Sequence, residues 1–190
     1  MASPGKPPTL NDDQRAVDIY RKAADILCTK GFGATSMSDI AEAVDLTKGG
    51  LYYYIKGKGA LLYAIMSYAL DRLEGHVILP AAEITDPNER LAVLVAGHLR
   101  LILDEPSAMR VLAGEEESLA VQHRGRIVER KGQFGKLLES TITEVAADRA
   151  SIGPAIEPAV AAGCIQTMVE GVLDWYEVDG PLGREDLVDQ

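Results

Sequence analysis

The stretch from Ser36 to Lys58, SMSDIAEAVDLTKGGLYYYIKGK, constrains this chain more than any other, because two helix starts fall within it almost back to back. Ser36 with Asp39 three residues on is a capping signature. The hydroxyl accepts from an otherwise unpaired amide, and the carboxylate suits the positive end of a helix. Met37, Ile40, Ala41 and Val44 then fall on one helical face. Asp45 and Leu46 make a turn, and Thr47 caps a second helix that sends Leu51 and Ile55 inward. The spacing therefore predicts a helix pair with almost nothing between its members.

What the second helix leaves outward is unusual: Lys48, Gly49, Gly50, Tyr52, Tyr53 and Tyr54, followed by Lys56 and Lys58. Glycine is a poor helix former, but it lets a backbone approach something bulky. Consecutive helical residues point about 100° apart, so three tyrosines in a row cannot all face one core. At least one phenol lies at the surface, where it can hydrogen-bond a phosphate or lie on a base edge. Between Thr47 and Lys58 there are three lysines and no acid, the charge pattern of an element that contacts nucleic-acid phosphates. The same residues also suit an ordinary amphipathic helix pair with half-buried aromatics, and composition alone leaves both readings open.

The net charge of −10 looks wrong for a partner of DNA until it is divided along the chain. Residues 1–58 hold eight Lys and Arg against seven acids, and residues 59–190 hold eleven against twenty-two. The acid belongs to the second part. At a Debye length of about 8 Å a distant acidic body is largely screened, while it suppresses non-specific contact with DNA. At 190 residues and 47% hydrophobic composition the chain can bury a sizeable core in one or two domains. No apolar run reaches the roughly 18 residues of a membrane span, and the N-terminus lacks a signal-peptide pattern, so a cytoplasmic protein with no membrane partner is expected. Cys28 and Cys164 stand alone in apolar contexts and read as small buried hydrophobes.

In chain order, residues 1–9 read as a disordered arm and 11–30 as a scaffold helix with Ile19, Ala23, Ile26 and Leu27 on one side, ended by Gly31. A long helix over 58–79 carries Leu61, Leu62, Ile65, Met66, Ala69, Leu73 and Val77, and Pro80 is expected to end it. Asp86-Pro87-Asn88-Glu89 opens the next helix, which Glu105-Pro106 breaks, and a short helix over 108–113 follows. Glu115, Glu116 and Glu117 are expected in the first turn of a helix reaching about Arg149. Its basic cluster, Arg124, Arg126, Arg130, Lys131 and Lys136, reads first as a salt-bridged solvated face and second as a site for an anionic ligand. Ser151 to Pro154 breaks the chain, and a last helix over 155–178 is apolar or small on more than one side. Such a helix needs a partner outside its own chain, so a homodimer is expected, with Cys164, Met168, Val172 and Trp175 at the interface. An acidic tail follows. No nucleophile–base pair, phosphate loop or metal-ligand spacing occurs, so neither an enzyme nor a cofactor or metal protein is expected.

The run Ala23-Ala24-x-Ile26-Leu27, Gly31-Phe32-x-Ala34-Thr35-Ser36-Met37-Ser38-Asp39-Ile40-Ala41-Glu42-Ala43, Thr47-Lys48-Gly49-x-Leu51-Tyr52-Tyr53-Tyr54 and Lys58 resembles the N-terminal domain of the TetR family of transcriptional regulators. Two positions depart from it: Gly50 stands where the family usually has Thr, and Gly59-Ala60 replaces a common acidic pair. The resemblance implies an all-α fold: a three-helix helix-turn-helix DNA-binding domain over 10–57 and a helical ligand-binding and dimerisation domain over 58–190. It implies Lys48, Gly49 and Tyr54 at base-facing positions, and Ser36, Thr47, Gly50, Tyr52, Tyr53 and Lys58 nearer the DNA backbone, with Ser38 beside them. More weakly, Pro87-x-Glu89-Arg90-Leu91, the segment from Arg110 to Leu119, and Trp175-Tyr176-x-x-Asp179-Gly180-Pro181-Leu182 resemble members that respond to acyl-CoA thioesters.

Together these readings predict a repressor that a small lipophilic effector, of the acyl-CoA class, releases from a palindromic double-stranded operator. The alternative is a regulator of efflux or other catabolic genes that answers to a lipophilic ligand without CoA. Met66, Leu94, His98, Arg124, Arg130 and Gln133 are the effector-contacting candidates. Of these, His98 in an apolar stripe reads first as an ordinary core histidine and second as a pocket residue.

Overall fold

Gly31 decides where the first helix stops. Its φ of 80° is left-handed, and its N–H donates to the Leu27 carbonyl at 2.8 Å, a stop that glycine adopts without steric penalty. The computed structural model describes residues 10–148 and 156–189, so the expected arm at 1–9 and the break at 151–154 lie outside the described residues. Among the described residues every regular element is helical: α1 (Leu10–Lys30), α2 (Met37–Ala43), α3 (Lys48–Tyr54), α4 (Lys58–Leu73), α5 (Leu79–Ala82), α6 (Pro87–Asp104), α7 (Pro106–Gly114), α8 (Val121–Asp148), α9 (Pro158–Glu170), α10 (Val172–Trp175) and α11 (Arg184–Val188).

Four boundaries differ from the sequence expectation, each for a physical reason. Pro80 does not end the fourth helix. A π turn over Glu74–Ile78 precedes it, closed by the Leu79 N–H on the Glu74 carbonyl, and the rod continues to Ala82. Proline lacks an N–H and its ring crowds the carbonyl four residues back, and the widened register just ahead of it relieves both. The three acids at 115–117 are not in the first turn of α8. Glu116–Ser118 form a separate 3-10 turn, and Leu119, buried and extended, separates it from the helix start at Val121. The expected helix over 155–178 is interrupted at Gly171, whose close packing on the Thr167 carbonyl leaves 3.2 Å for any Cβ. The acidic tail is not featureless: α11 docks on α6 through Arg184–Asp104 at 2.5 Å and Arg100–Glu185 at 3.5 Å. Cys28 and Cys164 are exposed rather than buried, with the Cys28 thiol donating to the Ser107 carbonyl.

The packing order matters for function. α7 lies against both α1 and α4, while α8 lies against α6 and α9. α4 is buried over much of its circumference by Leu61, Leu62, Ile65, Met66, Leu70 and Leu73. At the α1–α7 joint, Glu105 is 3% exposed and accepts from both the Arg21 guanidinium and the Tyr68 hydroxyl. Burial works to raise the Glu105 carboxyl, but those two donors hold it below the ordinary carboxylate range, and Tyr68 is pushed up to about 12. One buried charge thus ties α1, α4 and the start of α7 together.

Candidate nucleic-acid interface and effector cavity

α2 and α3 are too short to be stable alone, and their ends are fixed from outside and within. Ser36 accepts from the Asp39 N–H at 3.2 Å while the Asp39 carboxylate accepts from the Ser36 N–H at 2.8 Å, a complete capping box. The Ser36 hydroxyl and the Lys30 ammonium hold the Asp39 carboxyl far below its usual value. The Arg15 guanidinium donates to the Val44 carbonyl at 2.7 Å and so closes the exit of α2 from α1. Asp45, at φ 55°, makes the left-handed turn between the helices. Thr47 caps α3 by accepting from the Gly50 N–H at 3.0 Å, and Leu51 anchors α3 in the core with Met37, Ile40 and Ala41 of α2.

This anchoring leaves one face of α3 open. Lys48, Gly49 and Tyr52 are exposed, Lys56 follows beyond the helix, and Tyr53, at 76% exposure, projects furthest. Tyr54 is half-buried against the core, with the Tyr53 ring edge-on to it at 5.2 Å. Ser36 and Ser38 are exposed at the start of α2, and Thr47 at the start of α3. A Cβ on Gly49 would meet only Thr47 Oγ1 at 4.0 Å, whereas one on Gly50 would press it at 3.3 Å. The fold therefore has room for a side chain at Gly49. At Gly50 the departure from threonine sits against the cap itself.

Lys58 is a correction. Expected at the phosphate backbone, it turns inward instead. Its ammonium donates to the carbonyls of Phe32, Gly33 and Thr35 at 2.7, 3.2 and 2.9 Å and lies 4.5 Å from the Phe32 ring centroid. An ammonium has three donors, and all three are engaged. Lys58 locks the α1–α2 loop to the start of α4.

A cavity of about 20 Å³ lies between α4, α6, α7, α8, α9 and α10. Leu73, Ile102, Met109 and Leu112 form apolar walls, and Lys131, Gln166 and Glu170 are polar members of the lining. His98 is the one effector candidate from the sequence that lines it. Its ring, 2% exposed, meets the edge of Phe134 at 4.7 Å, and burial lowers its pKa to about 4, so it is neutral near pH 7. Among the described residues no group hydrogen-bonds either of its ring nitrogens. The other five are placed elsewhere. Met66 and Leu94 are sealed in the core away from the cavity lining, and Gln133 is exposed. Arg130 is held by Asp71 at 2.7 Å and Glu74 at 3.1 Å, and Arg124 donates to the Glu117 carbonyl. The basic cluster is thus in part an ion-paired face, with Lys131 also 3.4 Å from Glu116.

Beside the cavity runs an open groove of about 320 Å³ that shares Ala113, Glu170 and Leu173 with it and carries Arg110. Sequence reasoning missed this groove, because it arises where α7 meets the break at Gly171.

On α9 and α10, Met168 is 67% exposed, Trp175 57%, and Val160 and Cys164 are also open. Val172 is the exception among the expected interface residues. It is buried in its own protomer's core.

Comparison with known proteins agrees with this arrangement. Residues 19–65 match the family model described as bacterial regulatory proteins, tetR family, and residues 85–190 match that of the tetracyclin repressor-like C-terminal domain. The solved structure of AibR in complex with isovaleryl coenzyme A and operator DNA is similar at 32% identity and a TM-score of 0.80, over 92% of this chain and 94% of that one. The transcriptional repressor KstR2 of Mycolicibacterium smegmatis is 22% identical over 99% of this chain and 89% of its own length. The transcriptional activator FasR of the same organism is 21% identical over 95% of this chain and 80% of its own length.

Proposed function

This chain belongs to the TetR family of bacterial transcriptional regulators, and from that premise we propose that it is a cytoplasmic, ligand-responsive repressor that leaves its operator when an acyl-CoA thioester binds. Two copies pair through the open apolar face of α9 and α10, where Met168, Trp175, Val160 and Cys164 lie exposed. A two-fold dimer sets two α3 helices about one DNA turn apart, about 34 Å, which suits a palindromic site. Residues 10–57 form the DNA-binding unit and 58–190 the effector and dimerisation unit. Lys48, Gly49 and Tyr54 face the groove, with Ser36, Ser38, Thr47, Gly50, Tyr52 and Tyr53 toward phosphates.

One observation carries the reading: α3 is held rigidly by its cap and by Leu51, yet its outer face bears lysine, glycine and tyrosine with no acid. A relative holding both operator DNA and an acyl-CoA supports the effector class. The absence of any helix long and apolar enough to cross a membrane, among the described residues, fits this setting. The test is fluorescence anisotropy on DNA from the gene's own upstream region, titrated with acyl-CoA thioesters. Specific binding that micromolar acyl-CoA reverses is the expected result. No specific binding at low salt removes the DNA reading. Tight binding untouched by any acyl-CoA removes the effector class and turns the search to lipophilic ligands without CoA.

A further inference from the structure

The cavity and groove together ask more of a ligand than that it be lipophilic. About 20 Å³ is room for roughly one water, against the hundreds of Å³ of an ordinary small-molecule pocket. The walls are packed side chains from six helices, so each further carbon in the cavity must push them off their positions. A long chain or a sterol skeleton multiplies that penalty, whereas a group of a few carbons limits it.

The cavity also holds an unanswered polar group. His98 is buried beside Phe134, neutral, and hydrogen-bonded to nothing among the described residues. A buried imidazole normally has a partner, because leaving its N–H unpaired forfeits its hydration. A neutral imidazole always has one N–H to donate. An acyl group entering the cavity brings one polar atom with it, the carbonyl oxygen, which only accepts. The remainder of a thioester conjugate is long and polar and cannot follow into 20 Å³. The groove past Ala113, Glu170 and Leu173 offers about 320 Å³ for it, with the Arg110 guanidinium there to meet phosphate. Arg110 is already tied to Asp174 and the Leu173 carbonyl, so engaging phosphate would loosen the link between α7 and α10.

We propose that His98 donates a hydrogen bond to the thioester carbonyl of a short-chain acyl-CoA, whose acyl group fills this cavity and whose pantetheine arm lies in the Arg110 groove. This rests on the acyl-CoA reading above and narrows it to chains of a few carbons.

The experiment measures binding of free CoA and of butyryl-, isovaleryl-, octanoyl- and palmitoyl-CoA to the full chain by calorimetry, for wild type, His98→Leu and His98→Gln. Butyryl- and isovaleryl-CoA should bind at least tenfold more tightly than palmitoyl-CoA. His98→Leu should weaken them about three- to tenfold, as the loss of one neutral hydrogen bond does, and leave free CoA unchanged. His98→Gln, which keeps a donor, should recover part of the loss. A carbonyl labelled with carbon-13 should show a lowered stretching frequency on wild type that moves back up on His98→Leu. That band is read on the folded, ligand-bound fraction, so it stands even if the variant is less stable. Palmitoyl-CoA binding as well as butyryl-CoA overturns the chain-length limit. An unmoved carbonyl band, or equal affinities in wild type and His98→Leu, overturns the role of His98. Binding of no thioester at all instead overturns the broader acyl-CoA reading.

Discussion

Three residues carry separable tests. An added Cβ on Gly49 would make only an ordinary contact with Thr47 Oγ1 at 4.0 Å, so Gly49→Ala should keep or raise thermal stability, by up to about 1 kcal/mol from helix propensity. DNA affinity should nonetheless fall, because the backbone can no longer come as close to its partner. A loss of Tm in step with the loss of affinity would show that the glycine serves the fold instead. Lys58 points the opposite way. Its three bonds to loop carbonyls predict that Lys58→Ala costs about 1–3 kcal/mol of stability. The salt dependence of DNA binding should stay the same, and a slope reduced by about 0.9 would instead reveal a phosphate contact. His98 supplies the pH test. Its folded pKa of about 4 lies below the unfolded value near 6.5, so the unfolded chain binds the proton first as pH falls. His98 therefore destabilises the fold progressively from pH 6.5 down to about 4, by roughly 3 kcal/mol in all, and the effect levels off below. Denaturation of wild type and His98→Gln across that range should diverge by that amount. Parallel curves would mean the ring reaches solvent.

At the scale of elements, the proposed function makes α7 the piece through which a ligand in the cavity would be felt at the α1–α3 end. Its Met109 and Leu112 wall the cavity, and its flank packs on α1. Glu105, at its N-terminal edge, is bound to Arg21 of α1 and Tyr68 of α4. A wall displaced by an acyl group would move α7, and the buried carboxylate would carry that movement to α1. Glu105→Gln removes the charge while keeping the shape. It should cost about 1.5–3 kcal/mol, the range for a hydrogen bond to a charged group, and weaken the effector's influence on DNA affinity. Calorimetric melting and anisotropy with and without isovaleryl-CoA read the two effects. An unchanged effector response would take this joint out of the switch. None of this was legible in the sequence, where Glu105 reads only as a residue before a proline. The helix pair was legible, because Ser36, Asp39 and Thr47 act over three residues and their partners are local. The role of Lys58 was not legible, because its partners at 32–35 come together only once the chain has turned back at Gly31. The cavity residues failed for the same reason. Met66 and Leu94 satisfy the helical period, but which face of a buried helix meets an opening is set by the packing of several others.

For the whole molecule, charge and shape have to be read as a pair of copies. The acid concentrated beyond residue 58 discourages loose association with DNA, so useful affinity has to come from two α3 faces acting together. Joining two weak contacts in one dimer raises effective concentration to the millimolar range, and overall avidity by about 10² to 10⁴. The proposed pairing through the exposed stripe on α9 and α10 would make that stripe decisive for DNA binding although it lies outside the proposed DNA-binding unit. Met168 is 67% exposed and touches little within its own protomer, so Met168→Arg should leave the melting temperature of the isolated chain nearly unchanged. In a dimer it would bury a charge against its own symmetry mate, which is strongly unfavourable. Analytical ultracentrifugation should then find monomer, and operator affinity should fall at least a hundredfold, while binding to a half-site stays the same. A Met168→Arg protein that sediments as a dimer and holds the full operator as well as wild type would place the pairing surface elsewhere, with the valines of α8 at 121 and 128 the next face to test.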